Sequence, residues 1–116
     1  MKNYTQKQNN INKELLWFNH QKTSVQLDEV VYLKSLENYT QFYLKSGQVL
    51  IASYTMKSYE QKLSGNQHFT RIDRGTVINL RYLLKFETNE EGNFALLSTG
   101  EKMGISRRKS KVLKLS

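Results

Sequence analysis

The chain has 116 residues, a net charge of +8, a pI near 9.7, and neither cysteine nor proline. That length suits one ordinary domain, and the missing cysteines exclude disulfides, thiolate zinc sites, iron–sulfur ligation and cysteine nucleophiles. No stretch approaches the ~20 apolar residues of a membrane span and the amino terminus has no apolar signal core, so a soluble, cytoplasmic chain without membrane association is expected.

The basic excess sits at the two ends. Residues 1–22 carry four lysines and one glutamate, residues 23–100 carry eight basic and eight acidic side chains, and residues 101–116 carry six basic and one acidic. Charge clustered in this way points to a polyanionic partner, or else to a solubilising tail and a solvated last helix.

Residues 1–13 are rich in Asn, Gln and Lys and cannot bury enough surface to offset ordering entropy. Residues 1–22 are therefore expected to be a flexible polar lead-in or linker, with Leu15, Leu16, Trp17 and Phe18 as a short apolar patch that docks on the domain formed by residues 23–116. From Ser24 the pattern is that of strands. Val25 and Leu27 alternate with Gln26 and Asp28; Val30 to Leu33 is β-branched and aromatic; Thr40 to Leu44 and Val49 to Ala52 flank a turn at Lys45-Ser46-Gly47-Gln48 and predict a hairpin. Met56, Tyr59 and Leu63 then share one face of a short helix, with Thr55 as its N-cap and Gly65 past its end.

Phe69 to Leu80 is mixed, and Arg71-Ile72-Asp73-Arg74-Gly75 predicts an irregular segment. Leu83–Glu87 and Phe94–Leu97 predict a second hairpin through residues 89–93. Lys102 to Ile105 follows a turn at Thr99-Gly100. Ser106 caps a last basic helix with Val112, Leu113 and Leu115 along its buried edge. The fold class expected is mostly β, with two short helices.

No catalytic constellation assembles from these residues. His20 and His68 lack a second ligand at metal spacing, no glycine-rich phosphate loop follows a strand, and the acid pairs Asp28-Glu29 and Glu90-Glu91 read as solvated. Neither an enzyme, a cofactor, a metal nor a small-molecule substrate is expected. The basic residues are more informative. Leu36-Glu37-Asn38-Tyr39, Arg71-Ile72-Asp73-Arg74-Gly75 and Ser106-Arg107-Arg108-Lys109 each lie in a loop. If the three converge, they present guanidinium, amide and phenol groups together. Arg suits the guanine edge or a phosphate, Asn suits adenine, and Lys109 suits phosphates. The plainer role for each Arg is a surface ion pair, such as Arg71 or Arg74 with Asp73.

Five motifs in order resemble the LytTR DNA-binding domain of bacterial response regulators and related transcription factors. Leu27-Asp28-Glu29-Val30-Val31-Tyr32-Leu33 resembles its opening strands, Glu37-Asn38-Tyr39 its G/E-N-Y turn, and Thr55 to Leu63 its T-L-K-x-L-E-x-x-L helix. Phe69 to Asn79 resembles F-x-R-I/V-H-R-S-x-I/L-V-N, the most specific stretch, and Gly100 to Arg108 resembles G-x-x-L-x-V-S-R-R. The resemblance implies a fold of small packed antiparallel sheets that grips double-stranded DNA through loops placed in successive major grooves. It also implies direct-repeat sites, a homodimer on DNA and a role in two-component transcriptional regulation. DNA contacts are then expected at Asn38 and Tyr39, at Arg71, Asp73 and Arg74, and at Arg107, Arg108 and Lys109, with Asn79 organising structure. Two positions depart from the family pattern: Asp73 stands for His and Gly75 for Ser. The Asp73 carboxylate has two candidate jobs, holding an Arg or accepting from a cytosine amino group.

Two rival functions are consistent with the residues alone. One is a small β-barrel binding RNA or single strands through Tyr39, Phe42 and Tyr43. The other is a protein-interaction module built on Trp17 and Phe18.

Overall fold

In the computed structural model, which describes residues 15–18, 23–63 and 68–115, the run of β-branched and aromatic residues at the start of β3 (Val30–Leu36) becomes the centre of the fold. Val30, Val31, Tyr32 and Leu33 are all buried, because both faces of this strand are covered. A bulge between Val30 and Tyr32 in the pairing of β3 with β4 (Tyr39–Leu44) turns Val30 and Leu33 toward one core, and Val31 and Tyr32 toward the other. Alternation survives in β4, where Thr40, Phe42 and Leu44 are buried and their neighbours are not.

Five strands form the main antiparallel sheet, in the order β5 (Val49–Ala52), β4, β3, β7 (Thr76–Asn79), β6 (Phe69–Asp73). One face is covered by helix α1 (Met56–Lys62), by the ribbon of β1 (Leu15–Phe18) with β2 (Thr23–Gln26), and by Leu27. Met56, Tyr59 and Leu63 line the inner side of α1, as their spacing predicts, and Tyr59 meets Phe42 edge to face at 4.9 Å between ring centres. The other face packs on a three-stranded sheet of β8 (Leu83–Asn89), β9 (Gly92–Leu97) and β10 (Lys102–Ile105), with Leu113 and Leu115 beyond helix α2 (Arg107–Val112) closing the second core. Each fully buried Leu, Ile or Phe in these cores stabilises the fold by about 1.5–3 kcal/mol.

Several elements differ from the sequence expectation. The strand through Val25 stops at Gln26, and Leu27–Glu29 forms a 3-10 turn closed by the Val30 N–H on the Leu27 carbonyl. Leu15–Phe18, expected as a docking patch, pairs with β2 and sinks Leu16 into the first core; residues 1–14 and 19–22 lie outside the described residues, as does Gly65. Residues 71–75 do not open an irregular segment but belong to the regular stretch 69–79. That stretch is the β6–β7 hairpin, whose bulge between Arg71 and Asp73 breaks the alternation, and all four residues of β7 are buried because that strand lies inside the sheet. Strands β8 and β9 run closer to the tip than expected, leaving a turn at Glu90-Glu91 with Gly92 at φ 136°. At the carboxyl end Val112 is 65% exposed, and Ser110 takes the inner position instead. Helix α2 ends early, Lys114 adopts φ 61°, and the Leu115 N–H reaches back to the Ser110 carbonyl at 2.9 Å, folding Leu115 onto the core. Among the described residues no helix is long and apolar enough to cross a membrane.

Candidate nucleic-acid interface

Antiparallel pairing brings the first two loops together. The β3–β4 turn leaves the sheet at Leu36, and the β3–β7 register sets Lys34 opposite Thr76, so the β6–β7 turn emerges beside it. The Ser35 N–H donates to the Gly75 carbonyl at 2.9 Å and ties the two together. A Cβ at position 75 would come 2.6 Å from Ser35 Oγ, so a side chain there needs the Ser35 hydroxyl to rotate away.

The third loop is tied to the second through β6. The Ser106 N–H donates to the Ile72 carbonyl at 2.9 Å, just where β10 gives way to α2. Ser106 caps that helix as expected, its Oγ accepting from the Lys109 N–H at 3.2 Å. Between the second and third loops lies an open groove of about 600 Å³ lined by Arg71, Asp73, Arg74, Ser106, Arg108 and Lys109. All three segments singled out from the sequence therefore lie along one end of the sheet. Tyr39, Asn38, Arg74, Arg107 and Arg108 are exposed there, and Lys109 is half-buried.

Arg71 behaves differently from its neighbours. Its Nη1 donates to Glu60 Oε1 on α1 at 2.5 Å, its Nε to the Asp73 carbonyl at 3.2 Å, and its Nη2 to the Arg74 carbonyl. The expected ion pair between Asp73 and a flanking arginine is replaced by these bonds. Arg71 takes the backbone oxygen of Asp73, while the carboxylate of Asp73 accepts the Gly75 N–H at 3.3 Å and so closes the turn. Neither Glu60 nor Ser35 stands out in the sequence as part of a site. Glu60 matches the helix motif, but its contact with Arg71, 11 positions away, depends on how α1 packs against β6.

Asn79 is an organiser. It is buried, its Nδ2 donates to the Val30 carbonyl at 2.8 Å, and its Oδ1 accepts the Arg81 N–H at 3.0 Å. Of the aromatics that would stack single-stranded bases, Phe42 is fully buried and Tyr43 stacks on Tyr32 at 4.3 Å, leaving Tyr39 exposed. The side chains of Trp17 and Phe18 lie outside the described residues. His68 faces Arg81, with 3.2 Å between His68 Nε2 and Arg81 Nη2.

The family model described as the LytTr DNA-binding domain matches residues 20–116. Among solved structures, the LytTr DNA-binding domain of a putative methyl-accepting/DNA response regulator from Bacillus cereus is similar, with a TM-score of 0.70 and 16% identity over 86% of this chain and 91% of that one. No curated protein matches. The likeness of structure is one of fold: small antiparallel sheets with two short helices, as the motifs imply. With the family match spanning the five-stranded and three-stranded sheets, the helices α1 and α2 and the three candidate segments, this chain belongs to the LytTr DNA-binding domain family.

Proposed function

We propose that this domain binds double-stranded DNA sequence-specifically in bacterial transcriptional control, entering successive major grooves with its three loops. The observation that carries the reading is the convergence of the β3–β4 turn, the β6–β7 turn and the start of α2 along one end of the sheet, with exposed arginines on two of them. Two short turns and a helix start in a row fit a groove-reading role because each offers one or two side chains to base edges. In this reading Asn38 pairs with adenine beside Tyr39, Arg74 and Arg107 offer forked donors to guanine, and Arg108 and Lys109 neutralise phosphates. Asp73 closes the second turn rather than reading a base. Two copies on directly repeated half-sites, as a homodimer on DNA, would extend the same contacts over a second stretch of duplex.

Fluorescence anisotropy of a labelled duplex against salt concentration tests the reading. Each neutralised phosphate contributes about −0.9 to the slope of log K against log salt. A slope of at least about −3 is expected from Arg108, Lys109 and their basic neighbours. A flat response would mean that the charge of residues 101–116 faces solvent.

A further inference from the structure

We propose that Glu60 and Arg71 are positioning residues that set the aim of the second DNA-reading turn; this rests on the DNA-binding reading above and names how that site is held. All three guanidinium nitrogens of Arg71 are engaged within the protein: Nη1 by Glu60, Nε by the Asp73 carbonyl and Nη2 by the Arg74 carbonyl. A guanidinium recognises guanine or phosphate by offering two parallel donors from one edge, and here each nitrogen along those edges already holds a protein acceptor. The two carbonyls it holds belong to the last residue of β6 and to the first residue of the turn, Arg74 itself, so the bonds fix the direction in which the Arg74 side chain leaves the hairpin. Asp73 contributes from the other side by binding the Gly75 N–H. Glu60 orients the fork: it stands on α1, whose inner face is locked into the first core by Met56, Tyr59 and Leu63. The turn is thereby braced against the body of the domain.

The sign of one mutation separates this from simple electrostatics. Glu60 is an acid on a protein that meets a polyanion, so as a mere charge its removal would tighten binding to every duplex. As a positioning residue, its removal releases Arg71 and weakens binding only where sequence is read. The test measures the affinity of the full chain for a duplex selected from a random pool and for a scrambled duplex of equal length, with thermal melting alongside. Glu60→Gln is expected to bind the selected duplex roughly tenfold more weakly, a change of about 1.4 kcal/mol, and the scrambled duplex no more weakly than the parent does. Arg71→Gln is expected to show the same loss, with an unchanged salt slope on the scrambled duplex, whereas loss of a phosphate contact would reduce that slope by about 0.9. The double variant is expected to be no worse than Arg71→Gln alone.

Arg71→Lys supplies a second route should the neutral variants melt early. It keeps the charge but cannot hold three acceptors in one plane, so it too is expected to lose selectivity. Equal tightening of both duplexes by Glu60→Gln, additive losses in the double variant, full selectivity in Arg71→Lys or a reduced slope in Arg71→Gln would each overturn the proposal. A parent chain that shows no preference for any duplex would overturn the DNA reading as well, and is distinguishable because it precedes any mutation.

Discussion

Replacing Asp73 with asparagine separates charge from hydrogen bonding at the tip of the second turn. Asp73 Oδ1 accepts the Gly75 N–H at 3.3 Å, and Arg71 reaches the Asp73 backbone oxygen rather than the carboxylate. Asparagine retains the acceptor, so the turn stays closed and stability changes by less than about 0.5 kcal/mol. What is lost is one negative charge at the edge that meets DNA. A unit charge roughly 8 Å from a phosphate in water contributes a repulsion of about 0.5 kcal/mol. Removing it is expected to raise affinity about two- to threefold for every sequence, an effect largest at low ionic strength. Anisotropy on selected and scrambled duplexes, with random-pool selection repeated on the variant, checks both parts. A changed base preference at a single position would show that the carboxylate reads a cytosine amino group. A uniform loss of affinity would show that it anchors an arginine on DNA. Either result refutes the turn-closing role.

Arg107→Ala is expected to cost about 1–3 kcal/mol of binding to the selected site, as loss of a forked guanine contact does, while leaving the melting temperature in place because the side chain is exposed. Asn79→Ala is expected to destabilise the fold by about 2–4 kcal/mol in urea unfolding, since it strands the Val30 carbonyl and the Arg81 N–H that the amide joins; a loss below about 1 kcal/mol would show that those groups find water. Tyr59 predicts an alkaline weakness: burial, with Tyr54 nearby, pushes its phenol from 10.0 up to about 12. The unfolded chain gives up this proton first as pH rises, so the contribution is intact below pH 10 and is lost as pH climbs toward 12. Urea midpoints measured across that range are expected to fall, and to fall less steeply in Tyr59→Phe.

Local signals were legible in the sequence wherever a short stretch decides its own conformation. Gly47 at the β4–β5 turn takes φ 95°, Met56, Tyr59 and Leu63 line one side of α1, and Ser106 caps α2, each as its sequence pattern predicts. The three loops of the candidate site were also legible, because Asn, Tyr, Arg and Gly mark turns and donors without knowledge of their neighbours. Partners were not. That Arg71 turns to Glu60, that a side chain at position 75 would meet the Ser35 hydroxyl, and that Asp73 serves a backbone amide all follow from the docking of separate elements. Val112 misled because it is apolar like Leu113 and Leu115, but it stands two residues beyond the buried Ser110, on the opposite side of α2, and so faces solvent. In β6 and β7 the bulge and the double-sided burial removed the very alternation by which a hairpin is recognised.

The central claim is that one end of the five-stranded sheet, through two turns and the start of α2, meets the duplex. Backbone amide shifts of the isotopically labelled chain, recorded while a selected duplex is titrated in, test it most directly. The account predicts that the largest changes fall on residues 36–39, 73–76 and 106–109, with the outer face of β4 and β5 and the β8–β9 turn at Glu90-Glu91 nearly still. Changes concentrated on β5 or the β8–β9 turn, or confined to one of the three segments, would contradict it.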